Sequence, residues 1–421
     1  MNRNWCLLVI LSAILVFTAV NDVGAAGPVK ITMWSIQRPN KTDVIGLWLM
    51  ERIKAFEAAN PGVKIKYNYT ENEAYKTKLQ VAMLGGAGPD IFFNWGGETQ
   101  TIYSREGLLY DLTKALGKDY WGLAKGLFSN HSFNGKIYGI PMFPTVNTVW
   151  YNKILFKKYG LKSPVTWPEF LAVCKKLKSR GIIPMAIGGK EPWTILHPFM
   201  YMADRMAGAK LYNAAKAGKA RFDHPAFVRA FSLMARLSRK GYLPVDVLNL
   251  TFNDASQLMI RGKAAMMSMG NWEYNILTNE SKSDFNKWDF FTFPTIKGGK
   301  GDSRAVIGAS DGYSLNQKCR HPAEAIKFLK FLASRESLTA VHQTANCLVS
   351  LATPYMARDA RPQMKRIAAL LANASSMTLW WDQDLPAPMT QALLQGLQEI
   401  LGGVKSPRQV ARALEKARKR R

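Results

Sequence analysis

The sequence predicts an α/β protein built on a largely parallel sheet, and three observations carry that reading. Strand-like and helix-like patterns alternate from position 30 to position 93, in the order strand, helix, strand, helix, strand. Glycine and proline punctuation at Asn60-Pro61-Gly62, Gly85-Gly86 and Gly88-Pro89 falls between the patterned segments, where turns belong. The composition, 48% hydrophobic and 21% charged over 421 residues, offers enough apolar side chain to bury a core and excludes a largely disordered chain. Such a length suits roughly two or three domains of about 150 residues.

In chain order, residues 30–34 read as a short strand and 48–59 as a helix with Trp48, Ile53 and Phe56 on one face. Residues 63–67 alternate strictly, Val63 and Ile65 against Lys64 and Lys66, and form a second strand. An amphipathic helix at 75–84 and a buried strand at 90–93 complete the layer. Ligands of such sheets lie beyond the carboxyl ends of the strands. That rule places Trp34-Ser35 and Asn94-Trp95-Gly96-Gly97-Glu98 at a candidate site edge. Asn134-Gly135-Lys136 reads as a hairpin turn, 137–141 as extended chain, and the β-rich 146–151 as a crossing between lobes. Helices follow at 153–159 and 169–180, a strand at 182–187, helices at 227–240 and 254–263, and strands at 264–269 and 289–293. A loop at 298–301 precedes helices at 322–334, 390–401 and 408–418.

The N-terminus reads as an export signal. Arg3 precedes an apolar run at 6–20, and the small residues Val23-Gly24-Ala25-Ala26-Gly27 suit cleavage after Ala25 or Ala26, which would remove residues 1–26. The run of 15 residues falls short of the roughly 20 that span a bilayer. Cys6 stands too early to be a lipidated cysteine at that cleavage site, so the expected compartment is a periplasm. Three cysteines would remain, allowing either one disulfide, with Cys319 and Cys347 as the candidate pair, or three buried thiols including Cys174.

Fifty-seven Lys and Arg oppose 30 Asp and Glu, a net charge of +27. The excess is spread along the chain and densest at Lys405, Arg408, Arg412, Lys416 and residues 418–421. Zinc-finger spacing and aromatic-interleaved RNA-binding motifs are missing, and export argues against nucleic acid. An anionic surface or glycan stays open as a partner.

Two common catalytic signatures are missing as well: the sequence has no His-Glu-x-x-His and no phosphate-binding loop. The five histidines have no metal-ligand spacing, and neither metal nor cofactor is expected. What stands out is tryptophan beside polar groups: Asn94-Trp95, Glu191-Pro192-Trp193, Asn271-Trp272-Glu273 and Trp380-Trp381-Asp382-Gln383-Asp384. An indole covers the C–H face of a pyranose, while neighbouring carboxylates and amides bond its hydroxyls. A second reading makes the protein an exported glycan-cleaving enzyme, with Asp382 or Glu191 as carboxylates about 5–10 Å apart across the glycosidic bond.

The sequence resembles the extracellular carbohydrate-binding proteins of ABC importers, the group that contains maltose- and raffinose-binding proteins. The resemblance spans nearly the whole mature chain. It rests on Ile31-Thr32-Met33-Trp34-Ser35, Asn60-Pro61-Gly62-Val63-Lys64, Lys78-Leu79-Gln80, Gly88-Pro89-Asp90-Ile91 and Trp95-Gly96-Gly97. It continues through Leu109-Tyr110-Asp111-Leu112-Thr113, the segment from Asn134 to Pro141, Trp150-Tyr151-Asn152-Lys153, Trp167-Pro168-Glu169-Phe170, Gly262-Lys263-Ala264-Ala265-Met266 and Asp382-Gln383 with Leu385-Pro386.

The resemblance implies a two-lobe periplasmic-binding-protein fold with discontinuous lobes, 27–146 with 305–352 and 147–304 with 353–421, hinged by crossing segments. It implies a non-enzymatic, monomeric receptor that holds a sugar or oligosaccharide between the lobes and delivers it to an inner-membrane ABC permease. The expected contacts are Trp34, Asn94, Trp95, Asn147, Glu191, Trp193, Trp272, Asp311, Trp381 and Asp382. The charge of +27 is unusual for a binder of neutral sugar and leaves an acidic ligand such as a uronate oligomer open. The basic tail at 416–421 has no role that the resemblance explains.

Overall fold

The computed structural model describes residues 27–40, 43–279, 285–352 and 360–420. The signal-peptide reading of 1–26 lies outside them.

Strands β1 (Val29–Ser35), β2 (Val63–Tyr69) and β3 (Ile91–Asn94) are parallel, with β1 between the other two. Helices Val44–Ala59 and Asn72–Leu84 make the crossovers. Each helix starts where a carboxylate meets its free N–H groups: Asp43 accepts from Gly46, and Glu71 accepts from Glu73 and Ala74. The two-residue connection between β4 (Ser132–Phe133) and β5 (Lys136–Ile137) is a primed turn, with Asn134 at φ 49° and Gly135 at φ 75°.

Two long strands dominate the middle of the sheet. β6 (Ile140–Asn152) has 13 residues, and β10 (Val306–Leu315), which follows β7 (Ile183–Met185), β8 (Ala264–Gly270) and β9 (Trp288–Phe291), has ten. The first half of β6 pairs antiparallel with β10, and its second half with β8 and β9. β10 in turn pairs through its C-terminal end with β3, and through its N-terminal end with β11 (Met377–Thr378). The strand order is β2-β1-β3-β10-β6-β8-β7, so β6 and β10 serve both ends of the sheet.

The buried side chains divide in the same way. One core, with Ile31, Phe92, Tyr103, Tyr313 and Phe328, lies under the first three strands. Beyond the long strands, a second core holds Phe199, Tyr212, Phe227, Trp381 and Leu414, and a third holds Trp150, Tyr274 and Trp288. The closing helices Ala387–Leu401 and Pro407–Lys419 pack on Pro225–Arg239, with Val410 and Leu414 inward and the basic side chains on the other face.

The structure departs from the sequence reading in several places. β10 is central, although the sequence reading contained no strand there: Gly308, Ser310, Asp311, Gly312 and Ser314 break any hydrophobic run. Trp193–Lys216, for which the sequence reading had no element, is a 24-residue helical segment kinked at Gly208. Almost every residue of its first half is buried, so it shows no amphipathic stripe. Helices Arg335–Ala345 and Pro362–Ala372 were likewise unread. Of the two cysteine readings, the three buried thiols hold: Cys174, Cys319 and Cys347 are all free, and the Cys319–Cys347 bridge is not formed. Among the described residues no helix is long and apolar enough to cross a membrane, and no cluster has the makings of a metal site.

Candidate functional site

A cavity of about 420 Å3 opens between the two halves, with β6 and β10 at its back. Its volume is in the range of small-molecule pockets, about 300–1,000 Å3. Phe143, Pro144 and Thr145 of β6 and Asp311 of β10 line it. The register between these strands slips at Asp311/Gly312, a bulge of the kind that re-aims side chains beside a site.

Indoles make the walls. From the first half comes Trp95, at the carboxyl end of β3, held edge-on by Phe93 (5.0 Å) and Tyr75 (5.8 Å). From the second half come Trp193, Trp272 and Trp380, grouped around His197 at centroid distances of 5.6, 5.6 and 4.8 Å. Burial pushes the His197 imidazole down to about 3, with Lys76 adding to the effect, so the ring is neutral at physiological pH. Its Nδ1 and the Nε1 of Trp193 are buried without a hydrogen-bond partner.

The polar lining is acidic: Asp43, Glu71, Glu191, Asp311 and Asp382 face Arg38 and Lys76. Burial raises the Glu191 carboxyl, opposed by the Phe252 N–H, and the nearby charges of Glu71, Glu73 and Asp254 raise it further. Asp311 is pushed up to about 8, first by burial and then by the charge of Asp382, and its Oδ1 has no partner. Lys76 Nζ lies 2.8 Å from Glu73 and 3.5 Å from Asp382, and these carboxylates hold its ammonium above the ordinary lysine range despite burial. The Lys76–Asp382 pair crosses from the first half to the second. So does the contact between Gly97 and the backbone of Gln383. The two halves therefore touch beside the cavity.

A model of the family described as bacterial extracellular solute-binding protein matches residues 40–338. The chain belongs to that family. Among curated relatives of this solute-binding protein is the multiple sugar-binding protein of Streptococcus mutans, 27% identical over 345 residues and matched over 79% of each chain. Among solved structures, a chitin oligosaccharide binding protein is 27% identical, with a TM-score of 0.88 over 93% of this chain and 98% of that one. A chain solved in work on xylan utilisation by Caldanaerobius polysaccharolyticus is 28% identical, with a TM-score of 0.87 over 92% of this chain and 99% of its own.

Of the ten residues named from the solute-binding protein's sequence, six line the cavity: Trp95, Glu191, Trp193, Trp272, Asp311 and Asp382. Four do not. Trp34 lies on the far side of β1 from the buried Met33, with Lys78 Nζ 4.3 Å above its ring. Asn94 is buried and holds the turn after β3, accepting from Gly96 (2.9 Å) and donating to Gln100 and Ser314. Asn147 is buried in β6, where it donates to the His197 carbonyl (2.8 Å) and accepts from Ser268 (3.2 Å). Trp381 is 1% exposed and stacked on Tyr212 at 4.2 Å, at the centre of the second core. Its neighbour Trp380 reaches the cavity instead. His197 and Lys76 were unread because each sits in a helix whose pattern marks no ligand, and their relation to the indoles is tertiary.

Proposed function

We propose that this protein is an exported, non-enzymatic receptor that captures a sugar or oligosaccharide between its lobes and delivers it to an ABC importer permease. One observation carries the reading: four indoles, Trp95, Trp193, Trp272 and Trp380, wall a single cavity among carboxyl and amide groups, within a member of the solute-binding family. Flat apolar faces with polar groups at their edges match the two-sided chemistry of a pyranose. The Streptococcus mutans relative and the chitin oligosaccharide binding protein, both sugar binders by name, support the same ligand class.

In this reading the lobes are 27–146 with 305–352 and 147–304 with 353–421, and β6 and β10 are the hinge. Trp95, Glu191, Trp193, Trp272, Asp311 and Asp382 are ligand contacts, joined by Trp380 and His197. Residues 1–26 are an export signal, the mature protein works in a periplasm as a monomer, and no cofactor takes part. Because both lobes meet the ligand only when shut, binding favours the shut form.

The test is a tryptophan-fluorescence titration of the mature protein against a panel of neutral, amino and uronic oligosaccharides, with product analysis of every mixture. Saturable binding with the sugar recovered intact is expected. Cleaved sugar would make the protein an enzyme, and silence across the panel would remove the carbohydrate assignment.

A further inference from the structure

A protein of net charge +27 has lined its cavity with more carboxyl groups than cations. Surface charge of one sign is a matter of solubility and steering. An opposite sign inside the cleft is a statement about the ligand.

The groups around the cavity respond consistently to that negative field. Glu191 is raised by burial and by carboxylates of the facing half, Glu71 and Glu73. Lys76, though partly buried, keeps its charge because Glu73 and Asp382 surround it. Asp382 therefore has a cation beside it at 3.5 Å, whereas Asp311 makes no ion pair among the described residues, and its Oδ1 is buried without a hydrogen-bond donor. A sugar hydroxyl gives that oxygen one hydrogen bond but leaves the acidic excess of the lining as it is, and a carboxylate ligand would add to that excess. An ammonium brings three donors and the missing charge, and indole faces add attraction for a cation within about 6 Å.

On the reading that the cavity binds sugar, we propose that the ligand is a cationic glycan, an oligosaccharide with a free amino group, whose ammonium pairs with Asp311. This chemistry also answers the question the basic composition raises: a uronate is the ligand this cleft disfavours.

The discriminating pair of probes is glucosamine oligomers and N-acetylglucosamine oligomers of equal length, because acetylation removes the charge and keeps the ring. Xylo-oligosaccharides and galacturonate oligomers complete the set, measured by calorimetry at pH 5.5, where the amines arrive charged, in two buffers of different ionisation heat. The amine should bind at least about tenfold tighter than its acetylated partner. Binding should also expel the Asp311 proton, so the heat depends on the buffer for the amine alone. In Asp311→Asn, checked for folding by its melting curve, the amine-to-acetyl ratio should fall to within about twofold of unity and the buffer dependence should vanish. Asp311→Ala should give the same collapse. Equal affinity for the two forms, a preference for uronate, or a preference that survives both substitutions would overturn the cationic assignment while leaving a sugar receptor. Binding by no member of the set would overturn the sugar reading and this inference with it.

Discussion

Two adjacent tryptophans divide the labour between fold and site. Trp381 stacks on Tyr212 and meets Phe199, Phe222 and Phe227 edge-on, so its removal leaves a large void in the second core. Trp381→Ala should destabilise the protein by about 3–5 kcal/mol, read from denaturant melts. Trp272 is only half-buried and has one face toward the cavity, so Trp272→Ala should weaken sugar binding more than about tenfold with a much smaller loss of stability. An equal effect of both on stability, with none on affinity, would remove Trp272 from the site. The sequence supplied the cluster but not the choice within it. Trp380 caps a four-residue helix, too short for a hydrophobic period to say which ring turns inward. Trp95 was legible because loop punctuation, Gly96 and Gly97, follows it.

Elements with a local signature were readable, and those that depend on distant neighbours were not. β1 and β2 alternate because one face is buried, and the helices between them carry apolar stripes. β10 offers neither pattern. It is buried on both sides by chain far away in sequence, and small and polar residues fit there because partners satisfy them. Ser310 shows how: its carbonyl accepts from His131 Nε2 (2.6 Å) and from Asn130 (3.1 Å). His131 also meets Gln100 of helix Gly97–Arg105, so one imidazole ties that helix to a crossing strand. Burial lowers this imidazole to about 4. Its neutral form is thus favoured in the fold, and its contribution to stability is present above about pH 6.5 and lost as pH falls through about 4. Thermal midpoints between pH 7 and pH 4 should fall further for the native protein than for His131→Gln. Parallel curves would show that protonation of His131 is not part of acid unfolding.

At the scale of the molecule, the proposed receptor works by two halves that shut on a ligand. Sequence resemblance could imply the lobes; it could not show where they touch. One meeting involves Gly97, where an added Cβ would press on the Gln383 carbonyl oxygen, and whose φ of 69° already suits glycine. The segment Trp381–Asp384 and the preceding Trp380 belong to the second half, and through Trp380 and Asp382 they carry part of the cavity wall. A methyl group at position 97 presses on backbone, which cannot rotate away, so the shut form alone bears the clash. The backbone strain of a positive φ, about 1–3 kcal/mol, is borne in both forms and lowers stability without touching the equilibrium between them. Gly97→Ala should therefore weaken ligand binding about tenfold beyond any change in folding. Small-angle scattering should find that the ligand contracts the variant less than the native protein. If the variant binds and contracts as the native protein does, the meeting of Gly97 and Gln383 is not part of the shut cleft, and the walls close about some other contact.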